Sequence, residues 1–255
     1  MTEPFLLVQL SDPHIGATWV DADPVARLAA AVEAVRAMRP AADAVIISGD
    51  LADHAAEAEY ERLRALISPL EAPIYVLPGN HDDRAALRHY FEVPRGAGEP
   101  IQYAVDLGPL RLVVLDTTAP GQDSGVLDAE RLAWLDSELA TASDKPTLVA
   151  MHHPPLHAGL PALDEIGLAV ADRRALGEVI ERHPQVRRLV AGHMHRTISG
   201  ALAGRTVLAA PSTYVQARLD FSSHDLQFTT EPPAFAVHAV LDGEVLSHVR
   251  VVEPT

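Results

Sequence analysis

Phe5-Leu6-Leu7-Val8-Gln9-Leu10-Ser11-Asp12-Pro13-His14 is the stretch that decides the fold. Its first six residues form a nearly continuous apolar run, the pattern of a short strand buried on both faces, and the run ends in a carboxylate and an imidazole two residues apart. The arrangement recurs along the chain. AVII (44–47) precedes Ser48-Gly49-Asp50, and PIYVLP (73–78) precedes Gly79-Asn80-His81-Asp82. PTLVA (146–150) precedes Met151-His152-His153-Pro154, and RRLVA (187–191) precedes Gly192-His193-Met194-His195. Five strands ending in five polar motifs predict that oxygen and nitrogen donors gather at one edge of one sheet.

The donor types narrow the chemistry. Carboxylate, amide oxygen and neutral imidazole suit Mn, Fe, Zn or Co, and the chain has no cysteine to favour softer metals. Two aspartates, one asparagine and four histidines exceed what one tetrahedral ion needs. They match two adjacent ions sharing a bridging carboxylate, an arrangement that can hold the attacking and leaving oxygens of a displacement at phosphorus. The motifs therefore predict a dinuclear metallohydrolase acting on phosphate esters.

The five blocks, in this order between about Leu6 and Thr213, resemble the calcineurin-like metallophosphoesterases. The wording GNHDDRAALRHYF, DKPTLVAMHHPP and AGHMH is most similar to class III cyclic-nucleotide phosphodiesterases and bacterial glycerophosphodiesterases. The resemblance implies an α/β four-layer sandwich, two mixed β-sheets flanked by helices. It implies that Asp12, His14 and His195 bind a first metal, that Asp50 bridges, and that Asn80, His152 and His193 bind a second. It also implies that His81 contacts the phosphate and protonates the leaving group after attack by a metal-activated hydroxide. Asp50 and His81 are thus the catalytic candidates, and Asn80 and His81 also face substrate. Pro13 departs from the family, which commonly has a small hydroxyl residue there; proline removes an amide donor, so the surroundings of that loop differ.

Composition sets the outer limits. The chain of 255 residues with 48% hydrophobic content can bury a large core, and ligands drawn from both ends of the sequence favour one domain over 1–255. No apolar run approaches the roughly 18 residues of a membrane span, and MTEPF lacks the features of a signal peptide, so a cytoplasmic location is expected. The net charge of −15, from 35 acidic residues against 20 Lys plus Arg, disfavours a polynucleotide partner. A small diester is different, because Asp12 and Asp50 alone cannot neutralise two divalent cations and the site stays locally positive.

Helices are predicted over 25–39, after the Asp23 cap and Pro24 and before Pro40, and over 55–67, 83–91, 129–140 and 172–182. The last third (TVLAAPST, FAVHAVLD, EVLSHVRVV) reads as strands with a turn at Asp242-Gly243, giving two mixed sheets in all. The resemblance allows a homodimer or larger assembly, and strands after about 215 could form a cap or its interface. Polar loops at 94–100, 118–126, 154–167 and 220–233 are the expected substrate rim, the third foremost because it leaves the His152 strand directly.

The remaining polar residues have plainer readings. His54, His89, His183, His238 and His248 are expected to be surface or hydrogen-bonded residues. His153 should face away from the metals and orient its loop, Asp82 should brace the His81 loop or cap the next helix, and Asp116 should be structural. His157 and His224 lie in rim loops and are substrate candidates; Arg196 could meet a phosphate but reads better as a solvated side chain. Three functions fit the whole: a phosphodiesterase on 3′,5′-cyclic nucleotides or glycerophosphodiesters, a nuclease or broad phosphomonoesterase, and a non-catalytic binding module on the same scaffold. The complete ligand set counts against the last, and the acidity counts against the nuclease.

Overall fold

The computed structural model describes residues 3–93 and 100–253, so all but the end of the expected rim loop 94–100 lies outside the described residues. The elements run β1 (Phe5–Leu10), α1 (Pro24–Arg36), β2 (Ala44–Ser48), α2 (Glu57–Ile67), β3 (Ile74–Leu77), α3 (Arg84–Tyr90), β4 (Tyr103–Leu107) and β5 (Leu110–Val114). They continue with α4 (Ala129–Ala140), β6 (Thr147–Ala150), α5 (Pro161–Asp164), α6 (Val170–Glu181), β7 (Val186–Ala191), β8 (Ile198–Leu202) and β9 (Arg205–Ala209). A small β10 (Gln216–Ala217) and β11 (Phe228–Thr229) ribbon precedes the hairpin β12 (Ala234–Leu241) and β13 (Glu244–Val251).

Two mixed sheets result. One has the order β13-β12-β1-β2-β3, with β1, β2 and β3 parallel; the other is β4-β5-β6-β7-β9-β8, with antiparallel strands at its two edges. Alternation along each strand sends its side chains to two different layers. Leu7, Ile46 and Leu77 from the first sheet meet Leu112, Val114, Leu148 and Val190 from the second, forming the inter-sheet core. The opposite faces pack on helices: Leu6, Val8 and Leu10 against Leu28, Val32 and Leu63, and Val113 and Val149 against Leu135, Leu176 and Ile180. Burying each such leucine or isoleucine contributes about 1.5–3 kcal/mol. The four layers match the expected sandwich.

Local sequence explains the helix that follows the first motif. Asp23 accepts a hydrogen bond from the Val25 amide and Pro24 opens the helix with its φ already set, while Leu28, Ala31, Val32 and Val35 recur at helical spacing on the buried face. The expectation of donors at one edge of one sheet is corrected. Three motifs follow β1, β2 and β3, while the two histidine motifs follow β6 and β7 of the other sheet. The donors converge because the sheets stack face to face with these carboxyl ends on the same side. Among the described residues no helix is long and apolar enough to cross a membrane.

A polar thread crosses the inter-sheet core. Gln9 donates to Ser48 Oγ (2.8 Å) and, across the sheets, to the Ala191 carbonyl (2.9 Å), while its own amide oxygen accepts from His238 Nε2 (3.0 Å). His238 is fully buried on β12, and burial first, with nearby Arg188 second, pushes its pKa down to about 3. Its folded pKa lies below the unfolded value of about 6.5, so the unfolded chain binds the extra proton between those values and stability falls as pH drops through that window. Urea melts in chelator at pH 7.5 and pH 5 should show a smaller acid loss for His238→Gln, whose amide can still donate to Gln9, than for the parent chain. An equal or larger acid loss in the variant would show that His238 is not a source of the sensitivity.

Candidate metal centre

The residues after β1, β2 and β7 adopt backbone conformations that non-glycine residues seldom take. Asp12 (φ 49°), His14 (φ 41°), Asp50 (φ 50°), His193 (φ 68°) and His195 (φ 44°) are all left-handed, a cost tolerated where geometry at a site demands it. Two glycines let these turns close on one another. A Cβ on Gly79 would lie 2.1 Å from Asp50 Oδ1, and one on Gly49 would lie 2.2 Å from His152 Nδ1.

Each of the four histidines has one ring nitrogen tied outward, which determines what the other can do. His152 Nδ1 donates to the Ser48 carbonyl (2.9 Å), His195 Nδ1 to the Val215 carbonyl (2.9 Å), and His193 Nε2 to the Ile166 carbonyl (3.0 Å). His14 Nδ1 donates to the Asp53 carboxylate at 3.0 Å. A carbonyl or carboxylate oxygen only accepts, so the proton on each outward nitrogen follows from its partner. The inward atoms then meet. His14 Nε2 and His152 Nε2 each lie 3.3 Å from the same oxygen, Asp50 Oδ2, with His195 Nε2 3.1 Å from His14 Nε2 and Asn80 Oδ1 3.1 Å from His152 Nε2.

Asp12, His14, Asp50 and His195 thus offer converging ligand atoms, all buried. A second group on the other side of Asp50 has His152 and His193 close together, ring centroids 5.0 Å apart, with Asn80 at hand. His153 lies against them, but Thr117 Oγ1 (2.8 Å) and the Asp123 carbonyl (3.0 Å) occupy both its ring nitrogens, so it ties the 118–126 loop to the site. The donor set fits a pair of cations: hard oxygen and borderline imidazole ligands, pre-oriented, with one carboxylate oxygen shared.

Electrostatics point the same way. Burial alone would lower the pKa of His14 and of His152, yet the Asp50 carboxylate and its hydrogen bonds hold both up at about 9. Burial would raise Asp50, but the charges of His152 and His14 keep it well below the carboxylate range. His195, mainly through burial, is pushed down to about 4, and His193 falls well below its ordinary value for the same reason. Asp50 therefore stays ionised between the two imidazoles that it holds up. Asp12 is fixed by Ser11 Oγ, which in turn accepts from Ser48 Oγ (2.7 Å) at the end of the Gln9 thread, and by the His193 amide (3.0 Å).

His81 is one-third exposed, and its Nδ1 donates to the Asp53 carbonyl (2.8 Å), so Nε2 is the ring nitrogen left to act; His81 also offers a ligand atom close to those of His14 and Asp53. Asp82 braces this turn as expected, accepting from the amides of Leu51 (3.1 Å), Ala52 (3.2 Å) and Gly79 (2.9 Å), while Asp83 rather than Asp82 caps α3. Asp116 is structural, held by Arg84 at 2.7 Å. His157 and His224, placed in the rim by the sequence, have largely exposed side chains that pair with Asp164 and Glu165. Arg196 is neither solvated nor free for a phosphate: it donates to the Ala217 carbonyl and to Glu231.

Sequence reasoning missed three groups. Asp53 carries His14 and, through its carbonyl, His81; its place three residues after Asp50 in GDLAD was the available signal. The Ser48, Ile166 and Val215 carbonyls that orient the histidines carry no sequence signal, because every residue has one. Trp19 is the third, its ring 4.3 Å from that of His14 and 5.7 Å from that of His195.

The family profile described as "Calcineurin-like phosphoesterase" matches residues 5–197. The chain is 31% identical over 240 residues to a probable glycerophosphodiester phosphodiesterase of Arcobacter nitrofigilis, covering 91% of this chain and 88% of that relative. It is 35% identical over 221 residues to a cAMP/cGMP dual specificity phosphodiesterase of Mycobacterium tuberculosis (82% and 67%). It is 34% identical over 215 residues to a 3′,5′-cyclic adenosine monophosphate phosphodiesterase of Pseudomonas aeruginosa (83% and 77%). Among solved structures, a yellow lupin purple acid phosphatase aligns over 99% of this chain at TM-score 0.75 and 15% identity, this chain spanning 52% of that longer one. A dimetal phosphatase from Danio rerio aligns over 96% of this chain and 99% of its own at TM-score 0.67 and 16% identity. These two show the fold.

Proposed function

The chain belongs to the calcineurin-like phosphoesterases, and from that membership we propose that it is a dinuclear-metal phosphodiesterase hydrolysing small phosphodiesters, 3′,5′-cyclic nucleotides or glycerophosphodiesters. The observation that carries this reading is the set of four histidines whose outward nitrogens are tied down, two of which, His14 and His152, turn their inward nitrogens toward one shared oxygen of Asp50. In this reading Asp12, His14 and His195 with Asp50 would hold one cation, and Asn80, His152 and His193 with Asp50 the other. Manganese or iron suits this sulfur-free set, with zinc and cobalt as alternatives. Bound there, such a pair polarises the phosphoryl oxygens and makes water more acidic.

The chain's own residues do the rest. Asn80 and His81 meet the phosphate, and His81, held by the Asp53 carbonyl, presents Nε2 to the leaving oxygen and in its protonated form supplies the proton that oxygen needs. Relatives named for both cyclic nucleotides and glycerophosphodiesters support a diester over a monoester. The net charge of −15 opposes a polymer, whose many phosphates would have to lie along an acidic surface.

Turnover with manganese-loaded protein on cyclic AMP, cyclic GMP, a glycerophosphodiester, a phosphomonoester and single-stranded DNA tests the reading. The small diesters should give the highest kcat/KM. Cleavage of single-stranded DNA with a higher kcat/KM than every small diester would replace this reading with a nuclease.

A further inference from the structure

Aromatic residues make up only 5% of the chain, yet three of them gather beside the candidate metal centre. Trp19 stacks on Phe228 (centroids 4.8 Å, planes 29° apart) and meets Tyr214 edge-on at 5.7 Å. The same indole touches His14 (4.3 Å), His195 (5.7 Å) and His81 (5.8 Å), and Phe228 lies 5.2 Å from His195. Tyr214 is buried, whereas Trp19 and Phe228 are only half-buried, so part of each residue remains open to solvent. The other residues of this cluster, Ala17, Val20, Ala22 and Val215, have apolar side chains.

We propose that Trp19, backed by Phe228, is the specificity-determining platform on which the nucleobase of a 3′,5′-cyclic nucleotide rests while its phosphate sits at His81. This rests on the phosphodiesterase reading above and chooses within it. A glycerol body has no π-face to lay against an indole, whereas a flat base does. A choline headgroup would want rings arrayed around it, and here the two half-exposed rings stack almost in parallel. Base–aromatic stacking is lost on truncation, so the effect falls on substrate binding.

The chain has two tryptophans, and Trp134 lies on α4 against the outer core of the second sheet. Trp134→Phe therefore leaves Trp19 as the sole indole reporter. Manganese-loaded Trp134→Phe protein should show saturable fluorescence quenching by 5′-AMP and none by glycerol 3-phosphate. Trp19→Ala should raise KM for cyclic AMP about 10-fold or more, leave kcat within about 3-fold, leave KM for glycerophosphocholine unchanged and keep its metal, with partial rescue by Trp19→Phe. Loss of metal from Trp19→Ala, equal losses on every diester, or a larger KM effect on glycerophosphocholine would overturn the proposal. Failure of the parent protein to hydrolyse any small diester would defeat the phosphodiesterase reading instead, and 5′-AMP quenching would still report on the platform separately.

Discussion

Asp50→Ala should lose both metals and reduce turnover by about 1,000-fold or more. One oxygen of this buried carboxylate lies 3.3 Å from an inward nitrogen on each side, so its removal takes a ligand from both halves of the centre at once. Polarisation by a bound cation is worth several kcal/mol in the transition state, and each 1.36 kcal/mol is a factor of ten. A second readout separates this from misfolding. Asp50 holds His14 and His152 up at about 9, so at pH 7.5 the parent chain should release protons on taking up metal. Asp50→Asn, which preserves shape, should bind metal weakly and release fewer protons while its urea melt stays cooperative. Elemental analysis finding one metal or none in fully active parent protein would contradict the assignment.

The candidate centre is legible in the sequence because its proposed ligands are side chains of uncommon type at strand ends. Helix signals were equally local: the expected 129–140 helix coincides with α4, and the Asp23-Pro24 start opens α1 at Pro24, although that helix ends at Arg36 rather than 39. What was not legible depends on packing between sheets. Nothing in the five motifs says that three belong to one sheet and two to the other, since a parallel strand buried on both faces reads alike in either. The edge strands β4 and β8, which pair antiparallel with their sequence neighbours, were missed because their half-exposed residues lack a continuous apolar run. Trp19 was passed over for a related reason: a single aromatic in a loop has no periodicity, and its meaning comes from Phe228, more than 200 residues away in sequence.

Asp53 shows how the missed residues complete the legible ones. Its carboxylate accepts from His14, and its main-chain oxygen accepts from His81 Nδ1. Burial would raise its pKa, but the His14 hydrogen bond and charge carry it below the usual range, so it stays ionised and keeps the His14 tautomer fixed. The proposed metal ligand and the proposed proton donor are therefore held by one residue.

His81→Ala should accordingly lower kcat by on the order of 100-fold while leaving metal content unchanged, the size of loss typical when a general acid is removed. The argument is geometric. Asn80 turns its amide oxygen toward His152, the next side chain points elsewhere, and the His81 ring lies against His14 and Trp19 with only its Nδ1 engaged. In the proposed reading, a residue in that position would reach the phosphate or the departing oxygen while the ligands named above hold the cations. If His81 delivers a proton, the loss should shrink for a diester whose leaving group is already acidic, such as a nitrophenyl ester, and be largest for an alkyl alcohol. A variant that lost a metal, or lost the same factor on both leaving groups, would make His81 a ligand or a binding residue instead of the acid.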